Sequence, residues 1–182
     1  MIIAEAFLLS IVIGILRGGK PARLADVPLR ALWLAFIPLT VQIGMFAWEP
    51  LRLTLSDVVP YVHVFTYLVV GAFVWVNRTL PGMRAVAAGI LCNGLAIVAN
   101  GGYMPASASA LAGAGMLPVL SALAGGPFHN SILINDRTAL WFLGDVFHVP
   151  PPFPTPNVFS IGDVLIAIGL FILAQRTMCG DR

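Results

Sequence analysis

The sequence predicts an all-α integral membrane protein, a helical bundle of about five transmembrane helices with one long exterior loop before the last. Three observations predict it: a hydrophobic surplus, apolar segments of near-spanning length along the whole chain, and a lopsided distribution of cations. Of 182 residues, 59% are hydrophobic and 10% are charged, against about 45–50% and about 25% in ordinary soluble domains. A soluble core cannot absorb that surplus. A secretory leader would give one short apolar block behind a basic start, whereas Met1-Ile2-Ile3-Ala4-Glu5 is not basic and reads as the start of a permanent helix.

Backbone polar groups in lipid must be satisfied internally, and about 20 residues at about 1.5 Å each cross the hydrocarbon core, so apolar runs of this length mean helices. The first runs from Ile2 to Leu16 and stops at Arg17-Gly18-Gly19. The second, Ala31 to Trp48, carries Trp33 and Trp48 at its ends; the third, Val59 to Val76, carries Tyr61 and Trp75. Such placement suits an interfacial aromatic belt. The fourth, Arg84 to Ala99, holds Ala85, Ala87, Ala88, Gly89, Gly94 and Ala96, small residues that permit close helix packing. The fifth runs from Phe159 to Gln175. Together they make residues 1–182 a single transmembrane domain, with 100–158 as the exterior loop region.

Lys and Arg accumulate on the cytoplasmic side of a bilayer. With the N-terminus outside, the cytoplasmic segments hold Arg17, Lys20, Arg23, Arg30, Arg78, Arg84, Arg176 and Arg182, while only Arg52 and Arg137 lie outside. That asymmetry predicts a multi-pass protein of the bacterial cytoplasmic membrane with a cytoplasmic C-terminus. It also argues against a sixth span at Ala106 to Gly125, whose Ala, Gly and Ser residues around Pro118 supply little transfer energy. Short helices at the outer surface are expected there, with Phe142, Val146, Phe147, Phe153 and Phe159 docking the loop over the helix ends. Pro150 to Pro156, five prolines in seven residues, predicts a stiff extended approach to the last helix.

The net charge of +2 is small and dispersed, so no basic stripe exists to neutralise nucleic-acid phosphates. Cys92 and Cys179 form neither a disulfide framework nor a metal spacing. His63, His129 and His148 lack the convergence of three or four ligands that zinc requires, so no metal and no cofactor is expected.

Ionisable or polar groups inside spans are functional candidates, because a charge at the bilayer centre costs about 2.5–3.5 kcal/mol on insertion scales. In the orientation above, Glu5, His63, Asn100 and Asp163 converge on the outer leaflet, with Gln42 and Asn93 somewhat deeper. Asp163 reads either as a helix N-terminal carboxylate beside the Ser160 cap or as a ligand-facing or catalytic group. Asn100-Gly101-Gly102 reads as a helix stop with positive-φ glycines or as a backbone nest for a headgroup. Asp136-Arg137 and Asp145 read as loop-ordering contacts or as catalytic groups.

Leu16-Arg17-Gly18-Gly19, Asn100-Gly101-Gly102-Tyr103-Met104-Pro105, Leu143-Gly144-Asp145-Val146 and Phe159-Ser160-Ile161-Gly162-Asp163 resemble the landmarks of an uncharacterised family of bacterial multi-spanning membrane proteins, over essentially the whole chain. The run from Phe153 to Asp163 is also similar to the last helix of lipoprotein signal peptidases. That resemblance implies Asp163 as one of two catalytic aspartates. The partner belongs in an Asn-x-x-Asp-Arg pattern on the preceding helix, where this chain has Asn93 but Ala96 in the place of the aspartate. Glu5, Glu49, Asp57 or Asp145 would then have to stand in spatially, since aspartyl catalysis needs two carboxylates sharing a proton.

The expected function is a membrane protein without a complete catalytic constellation: a lipid-binding or hydrophobic-ligand-binding module, or an accessory subunit of a membrane complex or homo-oligomer. Asn100, Gly101, Gly102, Asp163, His63, Asn93 and Glu5 would hold a membrane lipid or quinone-like molecule. The alternative is an intramembrane hydrolase acting at the outer face through Asp163.

Overall fold

The structure, a computed structural model, describes residues 2–47 and 56–180. Trp48, Glu49, Arg52 and Arg182, to which the sequence assigns boundary, carboxylate and topology roles, lie outside the described residues. The chain is mostly helical. Among the described residues, five helices form the bundle: α1 (Ile2–Leu16), α2 (Trp33–Ala47), α3 (Val59–Val76), α4 (Met83–Ala99) and α7 (Ile161–Cys179). Between α4 and α7 lie two short helices, α5 (Ala108–Gly113) and α6 (Leu117–Ala124), and four strands.

Among the described residues, two helices, Val59–Val76 and Ile161–Cys179, are long and apolar enough to cross a membrane. Ile2–Leu16, Trp33–Gly44 and Met83–Ala99 are shorter apolar helices. At about 1.5 Å per residue a 15-residue helix such as α1 is about 22 Å long, below the roughly 30 Å of a hydrocarbon core.

α7 packs on α1 and α4, and α3 packs on α2 and α4. One end of the bundle gathers the α1–α2 and α3–α4 connections with the end of α7. The Lys20 and Arg23 donors reach the Met178 carbonyl at 3.0 and 3.3 Å, and Asn77 exchanges hydrogen bonds with the Arg30 backbone at 2.8 and 2.9 Å. This cationic end therefore holds Arg17, Lys20, Arg23, Arg30, Arg78, Arg84 and Arg176. The opposite end carries residues 100–158 as a cap.

The cap departs from the all-α expectation. β1 (Met104–Ala106) pairs in parallel with β2 (Ser131–Leu133), and β3 (Phe147–Val149) pairs antiparallel with β4 (Asn157–Phe159). Three-residue strands are too short to show a two-residue hydrophobic period, so the sequence pattern does not signal them. α5 and α6, with 6 and 8 residues, fill the segment expected to hold short helices.

Of the side chains expected to dock the cap, Phe142, Phe147 and Phe153 are exposed, Phe153 being 61% exposed, while Val146 and Phe159 are half-buried and Phe159 stacks on Phe147 at 5.5 Å. The cap also has a local core of Ala106, Leu111 and Leu123, packed with Met116, Phe128, Leu133 and Val158.

The bundle buries polar side chains beside its apolar core and turns many large apolar side chains outward. Buried side chains include Ser10, Thr66, Asn77, Asn93 and Gln175, while Leu8, Leu16, Phe36, Leu68 and Leu91 face outward. The apolar core proper, Val74, Met83, Val86, Ile166 and Leu173, lies where α3, α4 and α7 meet.

Candidate functional site

Two glycine-to-glycine contacts bring α4 and α7 together. The two helices run antiparallel, with Gly89 against the Gly162 backbone and Gly82 against Gly169. A Cβ at Gly162 would stand 2.7 Å from the Gly89 carbonyl and would also strike the Asn93 amide; a Cβ at Gly169 would stand 2.6 Å from the Val86 side chain. Only glycine permits this backbone approach.

The approach aims Asn93 at the first turn of α7. Its Nδ2 donates to Asp163 Oδ1 at 2.9 Å, and its Oδ1 accepts from Ser160 Oγ at 2.8 Å. Ser160 and Asp163 also complete a capping box: the Asp163 amide donates to Ser160 Oγ at 3.0 Å, and the Ser160 amide donates to Asp163 Oδ2 at 3.1 Å. Both carboxylate oxygens and both amide atoms thus have partners. Asp163 does not meet the Asn100-Gly101-Gly102 turn, because the glycine-to-glycine approach puts Asn93 in front of it.

That turn makes two separate contacts. α4 ends at Asn100, and Gly101 and Gly102 take φ of +68° and +93°, the left-handed geometry of a helix stop. The Gly102 amide donates back to the Ile97 carbonyl at 2.8 Å, so the stop spends its own donors. A Cβ at Gly102 would be 2.7 Å from the Pro60 Cα, which lets the first turn of α3 sit directly on it. Asn100 clamps the cap, donating to the Ala96 and Ala139 carbonyls and accepting from the Ala139 amide at 3.0 Å.

His63 is buried on α3, with Nδ1 2.8 Å from the Gly102 carbonyl. A carbonyl only accepts, so Nδ1 donates, and Nε2 receives a long hydrogen bond of 3.4 Å from Asn130 Nδ2. His63 is edge-on to Tyr67 at 5.3 Å. Glu5, on α1, takes a hydrogen bond from Thr155 in the cap. The expected site residues thus divide into four contacts at the cap end: Asn93 with Ser160 and Asp163, His63 with Gly102 and Asn130, Asn100 with Ala139, and Glu5 with Thr155.

Asp145 lies close enough to Asp163 for one charge to act on the other. Burial, reinforced by the Asp163 charge, pushes its carboxyl up to about 7. It is built into the cap, its amide donating to the Pro105 carbonyl at 2.8 Å and its carbonyl accepting from Ser107 at 3.0 Å. Asp145, one of the carboxylates considered as a stand-in for a second aspartate, thus couples to Asp163. Among the described residues no group of three His, Cys, Asp or Glu side chains gathers as metal ligands would.

Sequence inspection passed over the clasps at the cationic end. Gln175 Nε2 donates to the Ser10 carbonyl at 2.6 Å, and Arg17 donates to Gln175 Oε1 at 2.8 Å. Asn77 and Gln175 are amides bordering apolar runs, a visible signal whose partners only the packing supplies.

DUF5317, a family of unknown function, matches residues 26–175. An uncharacterized protein of Thermotoga maritima is 29% identical over 174 residues, covering 92% of this chain and 87% of that protein. No solved structure matches. With 26–175 spanning most of its length and both faces of the Asn93–Asp163 clasp, the chain belongs to DUF5317, a family of unknown function.

Proposed function

We propose that the chain is an integral membrane protein whose five bundle helices cross the bilayer, and that it serves as a lipid-binding or hydrophobic-ligand-binding module or an accessory subunit of a membrane complex. One observation carries this reading: the helices bury amides and hydroxyls and turn many large apolar side chains outward, whereas a soluble domain seldom exposes an apolar patch beyond a few hundred Å². α1, α2 and α4, as described, are short for a full crossing, which local bilayer thinning and snorkelling of flanking residues accommodate. In the orientation we favour, the cap faces outward and the cationic end faces the cytoplasm of a bacterial cell, as the cation asymmetry favours.

The ligand side of the proposal follows from how the polar groups are used. Asn93, Ser160 and Asp163 spend their hydrogen bonds on one another, which suits a clasp between helices. The open concavity is apolar and lies elsewhere, between α3 and α4.

Alkaline extraction followed by single-cysteine labelling, in a background with Cys92 and Cys179 replaced by serine, tests the membrane reading. The protein is expected to stay in the membrane pellet. A cysteine at Arg137 is expected to react with an impermeant reagent in intact cells and one at Arg23 to be protected; release into the supernatant, or the reverse labelling, would overturn it.

A second reading, a hydrolase acting at the outer face, draws on the coupling of Asp145 to Asp163. Two interacting carboxylates are what acid–base hydrolysis requires. Cleavage of a lipoprotein-like reporter by the purified protein, lost in both Asp145→Asn and Asp163→Asn, would favour it over the binding module; no cleavage by the unaltered protein sinks it.

A further inference from the structure

We propose that the groove between α3 and α4 binds one anionic phospholipid, an acyl chain lying along Leu68, Gly71, Leu91 and Gly94 and the headgroup phosphate meeting Arg78 and Arg84. The inference rests on the membrane reading above and names the ligand class.

The groove has a volume of about 770 Å³, within the roughly 300–1,000 Å³ of ligand sites. Its walls are apolar except at one end, where Arg78, Thr79 and Arg84 stand. From Arg84 to Val98 it follows α4 for about 21 Å at about 1.5 Å per residue, enough for a chain that fills one leaflet, roughly half of a 30 Å core. Small residues open it: a Cβ at Gly71 would meet nothing within 4 Å, and one at Gly94 would only touch Tyr67 at 3.8 Å.

The cationic mouth selects the headgroup. Arg78 lies 4.6 Å over the Trp75 ring and donates from one guanidinium nitrogen to the Trp75 carbonyl at 2.9 Å. That seating orients the guanidinium and leaves its other donors for a phosphate, which Arg matches bidentately. Arg84 is exposed on the first turn of α4. Among the described residues neither arginine meets a carboxylate. A second copy of the chain in the same orientation suits the mouth poorly, because Asp26 is the acidic residue at the cationic end among those described, the others lying toward the cap. A phosphodiester at headgroup depth supplies the missing negative charge.

The test uses the full chain reconstituted in vesicles of equal phosphatidylglycerol and phosphatidylcholine, extracted gently, with retained phospholipid identified by mass spectrometry. The unaltered protein is expected to retain phosphatidylglycerol in several-fold excess over phosphatidylcholine. Arg78→Gln with Arg84→Gln is expected to bring that ratio to the bulk value, while Arg176→Gln leaves it unchanged. Gly71→Leu, whose Cβ would meet nothing within 4 Å and whose side chain would occupy the groove, is expected to lower retention of both lipids. Full phosphatidylglycerol excess in the double arginine variant would overturn the proposal. So would a disulfide-linked dimer formed through Gly71→Cys, which would assign the groove to a second copy. A protein that inserts into the vesicles yet shows no headgroup preference refutes this inference alone; a protein that fails to insert refutes the membrane reading with it.

Discussion

The two faces of α4 put small residues to opposite uses. Toward α7, Gly82 and Gly89 meet the Gly169 and Gly162 backbones so closely that no side chain fits between. Toward α3, Gly94 and Ala87 face Gly71 across an open groove. What separates them is the partner. Glycines opposed in register on both helices let backbones touch, whereas glycines whose neighbours on the facing helix are Leu68, Val74 and Trp75 leave a channel that those side chains wall. A stripe of small residues therefore specifies closeness only when the facing helix answers it.

The largest expected effect breaks the closed face. Gly162→Val puts branched atoms against the Gly89 carbonyl and the Asn93 amide, and should cost upward of about 3 kcal/mol, beyond ordinary overpacking, because backbone on both sides cannot yield. Thermal unfolding in detergent micelles measures it. A shift no greater than that of a surface variant would show that the helices separate easily and that the comparison fails.

Next in size is the clasp this face holds. Asn93→Ala strips a donor from Asp163 and an acceptor from Ser160, and should cost about 1–3 kcal/mol, the range for stranding buried polar groups. Asp163→Asn should cost less, because asparagine is a good cap, although it must turn one amide hydrogen toward either Asn93 or the Ser160 amide. Equal unfolding temperatures for the two variants would mean that Asp163 matters as a charge and not as a hydrogen-bond acceptor.

Asp145 gives the comparison a pH axis. Its carboxyl is pushed from the usual 3.8 to about 7 in the folded chain, so between those values the folded state holds more protons than the unfolded one. Stability should then fall as pH rises from about 4 to about 7, by at most about 1 kcal/mol per pH unit, and level off above. Asp145→Asn should flatten the profile. Chemical unfolding between pH 4.5 and 8 checks the sign; a rise in stability across that window would overturn it.

The smallest effect is expected at the open face. Gly71→Ala meets nothing within 4 Å, so the change should stay within about 1 kcal/mol and favour the helix, as alanine does over glycine in a helix interior. Paired with Gly162→Val in one unfolding experiment, it measures the contrast between the two faces directly.

Much of the bundle is legible in the sequence because apolar length and glycine stops are local. The segment from Val59 to Val76 is a helix with the expected ends, and α7 starts two residues after Phe159, where Ser160 and Asp163 form a capping box that spacing alone suggests. The cap was less legible. Its strands are three residues long, and its core of Ala106, Leu111 and Leu123 uses small residues that do not stand out against a chain already 59% hydrophobic. Phe142 and Phe153 carry more apolar area and still face outward.

By itself the sequence determined where helices run, which end of the bundle collects the cations, and that Asn93, His63, Asn100 and Asp163 lie toward the opposite end. Those features follow from local composition and from the alternation of direction that short connections impose. Which polar groups touch was decided only by the tertiary structure. Asp163 meets Asn93 and not Asn100 because Gly89 and Gly162 set the depth at which α4 and α7 cross, and Asp145 feels Asp163 from a backbone position bridged to Ala106 of β1. Side-chain partners depend on helix separation and rotation to within about an ångström, and that information resides in pairs of residues far apart in the chain.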